Sequence, residues 1–195
     1  GRALEAQRVM REQLRQIIEL QTDARDRCKT ARGQAAQPTT LGMAAREVAA
    51  VADMQQQIED LLAGVVTRLE TLLEQLRNNR ALSGEDEMRL QGNVIEPLKT
   101  VKAQGAALSA QLETAKGLAQ GNDLAAKLDL LIPVQEQVMQ VLEAIIAEMI
   151  KVENAQAVEG NLRALIRLSD QVREVIKARP SGEGPAPKAP QEKAP

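Results

Sequence analysis

The stretch AAREVAAVADMQQQIEDLLAGVVTRLETLLEQL, residues 44–76, decides the fold. Its apolar residues recur at alternating steps of three and four: Ala44, Val48, Val51, Ile58, Leu62, Val65, Leu69, Leu72 and Leu76, with Gln55 as the polar member of the series. That spacing keeps one stripe on one face of an α-helix, the face that meets another helix. At about 1.5 Å per residue, the predicted helix is roughly 60 Å long.

The same pattern extends on both sides. Residues 33–42 hold Gly, Pro and two Thr, the composition of a helix end, a loop and a new N-cap at Thr39 or Thr40. Before them a first helix carries the seam Ala3, Gln7, Met10, Leu14, Ile17, Gln21, Ala24, Cys28 and Ala31. After residue 76, Asn78 and Asn79 end the second helix. Ser83, Gly84, Glu85 and Asp86 then resemble a capping box, with acidic groups in the first turn where the helix dipole favours them.

The third helix runs through Val94, Leu98, Val101, Gly105, Leu108, Leu112 and Ala115 to about Gln120. Its small residues Ala103, Gly105, Ala106, Ala107 and Ala110 predict a close approach by a neighbour. Gly121 and Asn122 stop it. A fourth helix follows on Leu124, Leu128, Leu131, Gln135, Val138, Leu142, Ile145, Met149 and Val152, with a second stripe at Ile132, Ile146 and Ile150. Two stripes predict two neighbours and a central position.

Beyond Val152 the register slips by a three-residue step and resumes as Ala155, Val158, Leu162, Leu165, Ser169, Val172 and Ile176. A stammer in one helix and a break near Gly160 and Asn161 both fit, so residues 123–179 read as one helix or two. Pro97 and Pro133 interrupt continuous seams and are expected to kink or restart their helices; an antiparallel pair could set them side by side. From Pro180 onward Pro, Gly, Ala and Lys dominate and periodicity ends. The expected fold is therefore all-α. It is an elongated antiparallel bundle of four to five long helices with coiled-coil-like heptad packing over 1–179, followed by a disordered tail over 180–195.

Composition agrees. The chain has no Phe, Trp, Tyr or His, yet 44% of its residues are hydrophobic, so the core must be aliphatic. Long helices meeting along Ala, Leu, Ile and Val need no aromatic rings, whereas ligand pockets usually draw on them. With 25 basic and 27 acidic residues scattered through every segment, and no stacking platform for bases, nucleic acid is not an expected partner. No apolar run reads as long enough to span a membrane, and no signal-peptide pattern opens the chain. A start at Gly1 in helical register leads to the expectation of a segment from a longer polypeptide.

Catalytic chemistry finds little to work with. Cys28 is the sole thiol; it lies on a seam, and no His is present to activate it. Zinc and bundle di-iron sites need His or several Cys. Glu85, Asp86 and Glu87 could hold a hard cation, but a helix start explains them as capping residues. We therefore assign no catalytic, cofactor-binding or metal-binding residue, no cofactor and no enzymatic activity. Gln7, Gln21, Gln55 and Gln135 are polar residues on apolar seams: either they fix register at some cost in stability, or they occupy solvent-facing slack at the bundle ends. On the first view, replacing one, as in Gln55→Leu, raises stability and loosens specificity.

The stretches MREQLRQIIELQTDARDR, residues 10–27, and MIKVENAQAVEGNLRALIRLSDQVREVI, residues 149–176, resemble repetitive helical regions of large bacterial envelope-associated coiled-coil proteins. The vinculin and talin rod bundles offer a textural likeness without a shared motif. The first resemblance implies a bacterial, extracytoplasmic scaffolding segment and transfers no catalytic residue; the localisation is otherwise open. The function expected is structural, a scaffold or interaction module whose partners are other helical segments or further copies of itself. The alternative is an amphipathic protein of lipid or granule surfaces, against which the missing aromatic anchors and strongly basic face both count.

Overall fold

The computed structural model describes residues 2–178, so the expected tail over 180–195 lies outside the described residues. Helix α1 spans Arg2–Ala35, and a single 3-10 turn, Pro38–Thr40, leads into α2, Leu41–Asn78. Helix α3, Gly84–Arg89, passes through a π-helical segment, Leu90–Ile95, into α4, Glu96–Lys116. These three pieces make one arm. Helix α5 spans Gly121–Ala178, and there is no strand among the described residues. The described residues fall into two units, 2–156 and 157–178.

Four arms form the first unit, and polar contacts along their edges fix the direction of each. Arg27 pairs with Glu47 at 3.7 Å and Gln21 with Gln55 at 3.0 Å, so α1 and α2 run antiparallel. Lys99 reaches Glu70 at 2.7 Å, and the Ser109 hydroxyl donates to Gln56 at 3.4 Å, which makes α2 and α4 antiparallel. Lys127 meets Gln111 near one end and Arg89 meets Glu148 near the other, an antiparallel match of α5 to the third arm. Arg32 to Asp129 at 2.9 Å, Lys29 to Glu136 at 3.1 Å and Arg11 to Glu153 close the ring between α1 and α5. No helix is central, contrary to the expectation for the fourth. The two stripes of α5 serve two neighbours, α1 and the third arm.

Every predicted seam residue from Gln7 to Val152 is buried. Leu14, Ile58, Leu62, Leu98, Leu112, Leu128 and Leu142 are fully enclosed. Each such aliphatic side chain contributes about 1.5–3 kcal/mol by leaving water, which explains how a core without aromatic rings holds together.

Helix ends follow local chemistry. The Ser83 hydroxyl accepts from the Asp86 amide at 3.1 Å and donates to the Asp86 carboxylate at 2.9 Å, so this acidic cluster caps a helix as its sequence predicts. At the end of α2 the Ala81 amide donates to the Leu76 carbonyl and Arg80 adopts a φ of 49°, the left-handed geometry that closes a helix.

The restart expected at Pro97 takes an unexpected form, and two further features differ from the sequence-based expectation. The π-helical segment ends two residues before Pro97, where the Glu96 amide donates back to the Gln91 carbonyl. The wider turn accommodates a ring that would otherwise press on the carbonyl four residues earlier. Pro133, by contrast, sits inside continuous helix, and the register of α5 on the third arm places it level with about Gly105, well away from Pro97. Finally, α5 is one helix to Ala178, but the bundle itself ends at Gln156, short of the boundary at 179.

Candidate functional site

The four seam glutamines are fully buried, which removes the reading of solvent-facing slack. Gln21 and Gln55 face each other across α1 and α2 and exchange two hydrogen bonds, Nε2 to Oε1 at 3.0 Å and 3.2 Å. Each amide satisfies the other, so the pair sits in an aliphatic core at little net cost. Gln7 Nε2 donates to Gln156 Oε1 at 2.8 Å, beside the Arg11–Glu153 ion pair that joins the same two helices. Neither Gln156 nor Glu153 stands on the seam read from sequence, and the pairing of Arg11 with a residue 142 positions away has no local signal.

Gln135 is the exception. Its side-chain Nε2 and Oε1 are both enclosed and neither makes a well-formed hydrogen bond. Its neighbour is Cys28, whose thiol burial pushes up to about 11, the Gln135 amide opposing part of the rise. Raised by burial, the Cys28 thiol offers little thiolate at neutral pH. Cys28 is fully enclosed at the seam position its sequence gives it, and no group of His, Cys, Asp or Glu suited to a metal ion occurs among the described residues.

The surface charges are structural too. The Asp129 carboxylate is held below its ordinary range by its hydrogen bond from Arg32, and Arg32 is raised in return. Lys99 is raised by Glu70, and Glu148 is lowered chiefly by Lys151. These are exposed pairs, screened by solvent, and they contribute little to stability. The groove between Glu5, Val9, Arg68, Leu72 and Gln75, about 360 Å³, is lined mainly by aliphatic groups and brings no reactive groups together. Helix α5 is also long and apolar enough by composition to cross a membrane, which the sequence reading missed; its seam residues from Leu124 to Val152 are buried in the bundle, while Leu130 is exposed.

The feature without an internal explanation is the second unit. Over residues 157–178 no residue is buried, although the heptad continues. Val158, Leu162, Leu165, Val172 and Ile176 are 51–67% exposed, and Ile166, Leu168 and Val175 widen the same apolar face. The sequence reading found the seam but missed these three flanking residues, because it looked for a two-position stripe. No protein-family model matches the chain, and neither the curated proteins nor the solved structures yield a match.

Proposed function

We propose that this chain is a non-catalytic structural module that acts by docking helices, and that residues 157–178 are its docking surface. One observation carries this reading: three heptads of aliphatic residues are left in water by a chain that buries every comparable seam residue from Gln7 to Val152. A contiguous apolar face of this kind marks an interaction site. The resemblance of residues 10–27 and 149–176 to envelope-associated coiled-coil proteins supports a scaffolding role in a bacterial envelope.

A lipid surface is the competing occupant. The 157–178 helix carries Arg163, Arg167, Arg173 and Lys177 against Glu159, Asp170 and Glu174, a nearly balanced polar face with no aromatic anchor. Surface-seeking helices rely on both a basic face and interfacial rings. Flotation of the whole chain with neutral and with anionic phospholipid vesicles separates the readings. The chain is expected to stay in the dense fraction with both. Flotation that disappears in a Leu162→Glu, Leu165→Glu variant replaces helix docking with lipid binding.

A further inference from the structure

Resting on the reading of 157–178 as a helix-docking surface, we propose that its occupant is the same segment of a second copy of this chain, lying antiparallel. The argument begins with register. Assigning Leu162, Ser169 and Ile176 to one seam position and Val158, Leu165 and Val172 to the other gives a complete heptad series. In an antiparallel pair, one seam position of each helix packs against the other seam position of its partner. The register that uses the whole segment then sets Val158 against Ile176 of the second copy, Leu162 against Val172, and Leu165 against Ser169. Each layer occurs twice by two-fold symmetry.

The residues flanking the seam decide the direction. In that antiparallel register, Glu159 faces Arg173 of the second copy, and the contact is repeated at the other end. Ile166 meets its own counterpart in the middle of one edge and Leu168 meets its own on the other. Opposite charges therefore lie together at both ends, and two of the three apolar flanking residues, Ile166 and Leu168, come together at the centre, while Val175 faces Asn161 of the second copy. A parallel pair would set Leu168 against Arg173, leave Glu159 without that cation, and stack Ser169 on Ser169 inside the seam. Both charge and apolar matching favour the antiparallel arrangement. Charge pattern at these flanking positions is what selects orientation in helix pairs.

The available charges are in place. Glu159 now reaches Arg163 one turn away at 2.5 Å, and Arg173 lies 3.9 Å from Asp170, exposed contacts that are readily exchanged for an intermolecular partner. Asp170, Arg163, Arg167, Glu174 and Lys177 fall on the outer positions and leave the seam free of charge.

The test is light scattering after size exclusion on the whole chain, from low micromolar to several hundred micromolar, read by refractive index because Trp and Tyr are absent. The expected result is a monomer–dimer equilibrium. Glu159→Arg and Arg173→Glu should each raise the dimer dissociation constant by roughly 3- to 30-fold, as small like-charge costs counted twice, and the double exchange should restore it. Mixing Leu162→Cys with Val172→Cys chains under mild oxidation should give a cross-linked heterodimer, with little product from either alone. Self-cross-linking of each single variant overturns the antiparallel assignment. A dimer indifferent to all four substitutions overturns the site. A monomer at every concentration overturns self-pairing, and the vesicle experiment then shows separately whether the docking reading falls with it.

Discussion

At the level of single residues, the interior glutamines show how identical side chains at equivalent seam positions come to have opposite value. Gln55 is satisfied by Gln21, so Gln55→Leu alone leaves Gln21 with an enclosed, unpartnered amide and is expected to cost about 1–3 kcal/mol. That reverses the gain expected from sequence, where the pairing was invisible. Gln135 has beside it only the Cys28 thiol, a weak hydrogen-bonding group, and Gln135→Leu should therefore stabilise the fold by about 1 kcal/mol, since it removes a poorly met desolvation cost and keeps the volume. Urea unfolding followed by circular dichroism measures both. A gain at position 55 together with a loss at position 135 would show that the amide pairing has been assigned to the wrong residue. Periodicity places a glutamine on a seam, but whether it finds a partner depends on the rotation of a second helix, and neither sequence segment records that alone.

At the scale of helices, the sequence was legible where local rules dominate and silent where two segments meet. The Ser83 cap and the stop near Asn79 follow from side-chain chemistry within a few residues and are where the sequence predicts them, whereas the third arm ends at Lys116 with Gly117 as its cap, short of the expected stop at Gly121, which instead opens α5. The small residues of α4 mislead: Ala103, Ala106, Ala107 and Ala110 are exposed, and Gly105 has ordinary room, with the nearest atom to an added Cβ being on Leu62 at 3.7 Å. The close approach lies instead at Gly121, where a Cβ would stand 2.3 Å from the Ala35 carbonyl oxygen, a contact between the end of α1 and the start of α5. Gly121→Ala is therefore expected to cost about 1–3 kcal/mol through forced backbone displacement. Gly105→Ala should gain about 0.5–1 kcal/mol from helix propensity. Thermal unfolding of the two variants decides the matter, and equal effects would mean that neither helix contact is as close as described. Because Gly121 also reads as a helix stop, its steric role had no separate signature in the sequence.

At the scale of the whole molecule, an uninterrupted helix need not belong to one cooperative unit. Helix α5 crosses from a segment that buries Leu142 completely to one in which Leu165 is 63% exposed, yet both leucines occupy the same kind of seam position in the sequence. Periodicity reports which face is apolar. It does not report whether the facing surface comes from this chain or another, and so the boundary at Gln156 was not readable although the seam was. The distinction has an energetic consequence. Leu62→Ala and Leu142→Ala each open a cavity in an enclosed aliphatic core and should lower the stability of the bundle by about 2–5 kcal/mol. Leu165→Ala removes no internal contact of that kind, and at low micromolar concentration it should leave the main unfolding transition within about 0.5 kcal/mol of the parent chain. Its effect should appear only as concentration rises and the 157–178 faces associate, because a substitution at an interface acts through mass action. Denaturant titrations of the three variants at two protein concentrations test this directly. A loss for Leu165→Ala as large as that for Leu142→Ala at the lower concentration would mean that residues 157–178 share the core of the bundle, which would leave no free face to dock anything.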